Sequence, residues 1–192
     1  MTPSACLLVL TLAPLPMPAR QAPAPSQPAH ANPIGTAVLG FKERIAEYLK
    51  VHKEAQSKVP KLTESNDPAD MQKREAALGA TIKKLRPTAK EGDILGGTFR
   101  AVLTREVRRD YLGRSAADRK ALMQEEPGNM KIGVNMTYPS DRPLATFPAQ
   151  LLQKLPELPP ELEYRIVGHH IVLRDVAANI IVDVARDVIP RV

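Results

Sequence analysis

The C-terminal stretch LEYRIVGHHIVLRDVAANIIVDV, residues 162–184, decides the fold class. Bulky apolar residues alternate with polar ones on both sides of Gly168-His169, as in two strands that each bury one face. A two-residue loop with glycine first is typical of a type II′ hairpin turn, and it pairs Tyr164 with Leu173. Because a slip of one residue would reverse both faces, this register is well specified.

A second turn, at residues 176–179, predicts a third strand. The simplest register pairs Leu173 with Val182 and Ile171 with Val184, on the apolar face. It also places Asp183 near Arg165 on a polar face exposed to water. The sequence therefore predicts a three-stranded antiparallel β-meander with one dry side, which helices cover.

The preceding half of the chain is helical in pattern. Apolar residues recur every three or four positions over 35–59, 67–86 and 98–112, and Ser115 caps a short helix that extends to about 124. Asp67-Pro68 is an N-cap followed by proline at the first helical position. Alternation predicts a further strand over 130–136, and residues 148–154 form a short helix.

These elements define an α+β fold in which three to four amphipathic helices pack on a small antiparallel sheet. We expect a signal peptide and Pro/Ala-rich spacer at 1–31 and a single domain at 32–192. The helical half spans 35–125 and the sheet half 130–189.

The N-terminus resembles a secretion signal. Residues 5–15, ACLLVLTLAPL, form an uncharged apolar run of h-region length, too short to span a bilayer. A Pro/Ala-rich spacer follows and offers a cleavage site at Ala29-His30-Ala31 or one near Ala19. The alternative is a disordered tail on a cytosolic protein. We expect export to the periplasm or the exterior, with no transmembrane span in the mature chain.

Charge and cysteine content limit the function classes. The net charge is +6, which favours weak association with anionic partners. Aromatic residues make up only 4% of the chain, and no nucleic-acid-binding module is recognisable, so nucleic acid is not an expected partner. The only cysteine is Cys6 in the apolar run, so a processed chain would contain no thiol.

The densest basic cluster is the candidate binding face for an anion or a partner. It consists of Arg105, Arg108, Arg109 and Arg114, and guanidinium groups suit phosphate and carboxylate. The alternative is an ordinary exposed helix face, because Glu106, Asp110 and Asp118 interleave as ion-pair partners.

Other chemistry-bearing residues predict no site. His52 lies on the apolar stripe of the first helix, either as a partly buried histidine with one hydrogen bond or as a ligand or pH switch. His169-His170 diverge and lack a third metal ligand. The loop at 90–97 contains two acids and two glycines but lacks the Lys-Ser/Thr of a P-loop, so a capped turn is expected there.

The segment LPPELEYRIVGHHIVLRDVAANIIVDV, residues 158–184, resembles the C-terminal hairpin of small uncharacterised exported bacterial proteins. In these an L-P-P segment precedes an aromatic strand, a glycine turn and two closing strands. The segment is also similar to the end of the periplasmic nickel/cobalt-homeostasis family. The latter resemblance implies metal handling, but no functional residue carries over.

These observations favour a non-catalytic envelope protein that binds an anionic surface or a protein partner. No catalytic, cofactor-binding or metal-binding residue is predicted, and the oligomeric state stays open. Two alternatives remain: a periplasmic metal-handling protein, and a hydrolase-like enzyme in which His52 or His170 meets a carboxylate from elsewhere in the chain.

Overall fold

The structure, a computed structural model, describes residues 32–60, 67–124, 130–139 and 147–191. They belong to one compact unit that runs from Ala31 to Val192. The predicted signal and spacer at 1–31 lie outside the described residues. The described elements, in chain order, are α1 (Pro33–Lys58), α2 (Pro68–Leu85), α3 (Gly97–Gly113), α4 (Ala116–Gln124), α5 (Ala149–Leu152), β1 (Leu162–Val167), β2 (His170–Asp175) and β3 (Ile180–Ala185). The predicted α+β class is confirmed.

The helices begin where side chains satisfy their first N–H groups. The Asp67 carboxylate accepts the N–H of Ala69 at 2.8 Å, with proline next in the chain, as predicted. Ser115 Oγ accepts the N–H of Asp118 at 3.1 Å and donates to its carboxylate at 2.7 Å, which is the predicted start of α4. Both caps follow from local sequence alone. The predicted helix at 148–154 is shorter, since α5 covers only Ala149–Leu152.

One hydrophobic core joins α1, α2 and α3 to one face of the sheet. The rings of Phe41 and Phe99 stack at 4.1 Å between α1 and α3. Their neighbours Leu78 and Ile82 on α2 are completely buried, and so is Leu173 on β2. Leucine, isoleucine and valine fill most of this core, as the low aromatic content requires. None of the described helices is long and apolar enough to cross a membrane.

The first hairpin has the predicted register. β1 pairs antiparallel with β2, with Tyr164 opposite Leu173 and Glu163 opposite Arg174. Gly168 at the turn has a φ of 57°, a conformation that glycine adopts without steric cost. Alternation and turn chemistry therefore sufficed to specify this pairing.

The second hairpin departs from the prediction beyond its turn. Asp175 pairs with Ile180, as the simple register requires, but a β-bulge follows between Leu173 and Arg174. Leu173 therefore lies opposite Asp183, and the predicted pairing of Leu173 with Val182 is wrong. The predicted pair Ile171–Val184 is wrong in the same way, because Ile171 lies opposite Ala185. The extra residue keeps Val182 in the main core and brings Asp183 to a buried loop.

The second face of the sheet is buried and not exposed to water as predicted. It carries a smaller apolar cluster of Tyr138, Val167, Val172, Ile181 and Val184, packed against Met130 and Ile132. We predicted that Asp183 lies near Arg165 on an exposed surface, and this prediction is wrong. Its carboxylate is completely buried in the loop before α3, whereas Arg165 pairs with Glu163 at 2.5 Å.

The predicted strand at 130–136 is also wrong. The segment turns at Gly133–Met136, where Asn135 has a φ of 63°, so it cannot remain extended. In the described stretch 130–139, Thr137 forms an isolated bridge to Ile180, and backbone hydrogen bonds join this stretch to β3. Of the alternating apolar residues, Met130 and Ile132 pack against the second face, whereas Met136 is exposed.

Candidate functional site

The predicted basic cluster lies on the second half of α3 and just beyond it. Arg105, Arg108 and Arg109 are exposed, as predicted, and Arg114 is half-buried at the end of the helix. Positions three and four apart share one helix face, which explains why the first three stand together. The cluster therefore exists as a surface, although its members differ in environment.

Two nearly buried acids hold three of these arginines. Glu106 and Asp110 are each 8% exposed on α3. Glu106 contacts Arg105 at 2.9 Å and Arg109 at 3.2 Å, and Asp110 contacts Arg114 at 2.8 Å. The predicted ion-pair role is thus confirmed for these acids, whereas Asp118 bonds to Ser115 instead.

A cleft of about 550 Å³ brings two of the four arginines together with a lysine. Arg109 and Arg114 line it from the end of α3, and Lys154 lines it from the segment after α5. Arg105 and Arg108 are not among its lining residues. We call this space the basic cleft. Lys154 was not predicted from the sequence, because only the packing of α5 against α3 brings it to this cleft.

Residues outside the basic cleft stabilise the backbone that forms its walls. Arg119 donates to the carbonyl of Arg114 at 2.7 Å, and its guanidinium lies 6.0 Å from the ring centre of Tyr111. The Ser115–Asp118 cap fixes the start of α4 at the edge of the same cleft. The positions of Arg114 and of the α4 N-terminus are therefore set before any ligand binds.

The charges in the basic cleft favour an anion. Three cationic side chains face two carboxylates, those of Asp110 and Asp118. Asp110 already accepts from Arg114, and Asp118 accepts from Ser115. A helix N-terminus adds partial positive charge, so one phosphate or carboxylate group could bind here by charge-assisted hydrogen bonds.

A second constellation lies in the core, where α1 meets the end of β2. His52 is 2% exposed, and its Nδ1 lies 2.5 Å from Oδ2 of the completely buried Asp175. The Tyr48 hydroxyl donates to the same oxygen at 2.7 Å. The hydrogen bond to Asp175 raises the pKa of His52 against the opposing effect of burial. The predicted single hydrogen bond of His52 is confirmed. The ring is fully buried and not partly buried as predicted, and Asp175 was not foreseen as its partner.

The His52–Asp175 pair resembles the histidine and the carboxylate of a catalytic triad. A triad needs a nucleophile on the second ring nitrogen, in reach of substrate. Within the described residues, Nε2 of His52 has no hydrogen-bond partner, and burial separates it from solvent. Among the described residues, the pair therefore lacks the nucleophile that a triad needs.

The adjacent histidines diverge, as expected from a turn and a strand. His169 Nδ1 lies 3.2 Å from the carbonyl oxygen of Ile189, and His170 Nδ1 accepts the N–H of Asp187 at 2.9 Å. Burial lowers the pKa of His170. In the part of the chain that the structure describes, no three His, Cys, Asp or Glu residues are grouped so as to hold a metal ion.

The glycine-containing loop before α3 receives a carboxylate from the chain itself. Asp183 accepts the N–H groups of Gly92, Ile94 and Leu95 at 2.6–2.7 Å. A Cβ on Gly96 would lie 2.1 Å from the carbonyl oxygen of Gly92, so only glycine fits there. The expected turn is confirmed, but α3 begins at Gly97 without the expected side-chain cap. Asp183 accepts the N–H groups of the loop instead. Burial raises the pKa of Asp183, and these N–H groups oppose the rise.

Fold and site thus define a small α+β domain with a basic cleft on one side and a buried histidine–aspartate pair within. No family model, curated protein or solved structure matches the chain.

Proposed function

We propose that this protein is a non-catalytic binding module of the bacterial envelope that holds an anionic group of its partner in the basic cleft. The partner is an envelope surface or an envelope protein that presents phosphate or carboxylate groups. The observation that carries the proposal is the convergence of Arg109, Arg114 and Lys154 on one cleft of about 550 Å³.

The cleft supports this function better than net charge alone. The excess charge of +6 is distributed over the whole chain and by itself predicts only weak, salt-sensitive association. In the cleft, Asp110 holds the Arg114 side chain, so less side-chain entropy is lost when an anion binds, and Arg119 holds the Arg114 backbone. Arg109 and Lys154 are less constrained and supply charge at the rim.

Two double variants with the same change of charge separate the cleft from the general surface. Arg109→Glu with Lys154→Glu alters the cleft, and Arg105→Glu with Arg108→Glu alters the arginines outside it. The comparison is balanced because Arg105 and Arg109 both pair with Glu106. The measurement is co-sedimentation with liposomes rich in anionic phospholipid and with cell-envelope fractions, at low and high salt.

We expect the cleft variant to lose most of its association and the outer variant to keep most of it. High salt should weaken the wild type, since exposed charges are screened over about 8 Å at physiological ionic strength. Equal losses in the two variants would show that only net charge matters. A wild type that sediments with neither liposomes nor envelope at low salt would refute the anion-binding function.

Export is the second part of this proposal and has its own test. The support is the apolar run at 5–15 and the Pro/Ala-rich spacer after it. The intact mass of the protein from its native host should lack Met1 to about Ala31. Full-length protein recovered from the cytoplasm would refute export and leave the cleft without its envelope context.

A further inference from the structure

The buried group around Asp175 joins two parts of the fold that no other described polar side-chain contact joins. Its Oδ2 accepts from His52 at 2.5 Å and from Tyr48 at 2.7 Å, both on α1. Its Oδ1 accepts the backbone N–H of Ala178 at 2.9 Å, in the turn between β2 and β3. One carboxylate therefore links the second half of α1 to the turn of the second hairpin.

We propose that His52 and Asp175 form a buried proton-binding site that fastens α1 to the β2–β3 turn, tightly when His52 is protonated and more weakly when it is not. The site is a regulatory element of the fold, separate from the basic cleft, and does not depend on the proposed function. Its ligand is the proton.

The contacts of His52 support titration of this group. With Nδ1–H donated to Asp175, the neutral ring keeps its hydrogen bond, and protonation adds the charge on Nε2. Within the described residues Nε2 has no hydrogen-bond partner, so burial penalises the charged ring. The adjacent Asp175 outweighs this penalty and keeps the charged form accessible.

The charged and titratable groups around the pair come from every element packed on it. Glu161, before β1, favours the charged ring, and Arg74 on α2 disfavours it. Tyr48 beside it stays neutral, because burial and Asp175 both raise its pKa. Arg86, after α2, lies 5.0 Å from the ring centre of Tyr48. Among these described groups, Asp175 has the strongest effect on His52.

The sign of the pH effect follows from the direction of the shift. The folded state raises the pKa of His52 above its ordinary value of 6.5, so it binds this proton more tightly than the unfolded chain does. The added stability is fully present below pH 6.5 and is lost as pH rises through the folded pKa. Lowering the pH should therefore strengthen the attachment of α1 to the β2–β3 turn, and raising the pH should weaken it.

The test uses the full chain and two measurements. The first follows the imidazole NMR signals of the wild type with pH, with His170 as an internal reference of opposite shift. The second follows the hydrogen-exchange protection factor of the Ala178 amide over the same range. His52→Asn keeps a donor near the position of Nδ1 and does not titrate. His169→Asn is the matched control, since that ring lies in the other turn.

We expect His52 to titrate above 6.5 and the Ala178 protection factor to fall as pH rises. Each pH unit between 6.5 and the folded pKa should lower the protection about tenfold. The fall should disappear in His52→Asn and persist in His169→Asn. A wild-type His52 that titrates at or below 6.5 would overturn the proposal, even if a variant fails to fold. A protection profile that is the same in wild type and His52→Asn would also overturn it.

Discussion

The carboxylate of Asp183 on β3 accepts a hydrogen bond of 2.6 Å from the backbone N–H of Leu95, in the loop that precedes α3. The same carboxylate accepts from Gly92 and Ile94. Asp183 is completely buried, and so is Leu95. One side chain of the sheet thus determines the conformation of the loop that directs α3 onto the core.

Removing this carboxylate should be among the most destabilising single changes. Asp183→Ala removes the carboxylate that accepts four backbone N–H groups, those of Gly92, Ile94, Leu95 and Val184. We expect a loss of roughly 2–5 kcal/mol in the free energy of unfolding. Urea denaturation followed by circular dichroism measures it. Glu91→Ala in the same loop is the control, because its partner Arg186 is partly exposed and the pair should contribute at most about 1 kcal/mol. Equal losses would mean that Asp183 does not organise the loop.

Leu173 tests the main core. It is completely buried between β1 and β3, and Leu173→Ala should lower the free energy of unfolding by roughly 2–5 kcal/mol. Leu152→Ala removes the same atoms from a residue that is 48% exposed, and it should have only a small effect. Urea midpoints compare the two variants directly. A larger effect at Leu152 would show that the core is misassigned.

Two helical glycines should respond in opposite directions to alanine. A Cβ on Gly79 of α2 would lie 2.9 Å from Ile180 and 3.0 Å from the carbonyl oxygen of Ala178, so Gly79→Ala should destabilise the packing of α2 on β3. A Cβ on Gly40 of α1 would approach only Nη1 of Arg44, at 3.5 Å, which is an ordinary van der Waals distance. Gly40→Ala should therefore stabilise the protein by up to about 1 kcal/mol. Thermal melts of the two variants measure these effects. Changes in melting temperature of the same sign would contradict this packing.

His170 should give a pH effect of the opposite sign to that of His52. Burial lowers its folded pKa, with further lowering from Arg186, and its Nδ1 accepts the N–H of Asp187. Protonation would place a hydrogen on that acceptor. The stabilisation is therefore present above the ordinary pKa of 6.5 and is lost as pH falls through the folded pKa. Melting temperature against pH should show this acid-side loss in the wild type and a smaller one in His170→Asn. An unchanged profile in the variant would exclude His170 as its source.

Local patterns were sufficient for the elements whose partners are close in sequence. The helix caps at Asp67 and Ser115 require only the next few residues. The β1–β2 register requires only a two-residue turn and alternation on both sides, as Tyr164 opposite Leu173 illustrates. In the basic cluster, the pairing of Arg114 with Asp110 was predictable for the same reason, since residues four apart on a helix are neighbours.

Only the tertiary structure decided the features that depend on distant partners. The bulge in β3 is stable because Asp183 gains three N–H donors from a loop about ninety residues earlier, which no local pattern encodes. Asp175 reaches His52 across 123 positions, and Lys154 joins Arg109 through the packing of α5 on α3. The sequence by itself determined which segments are helices and hairpins, because short-range periodicity and capping set those choices. Which polar side chains are buried together depends on how the elements pack, since a buried charge is stable only beside its partner.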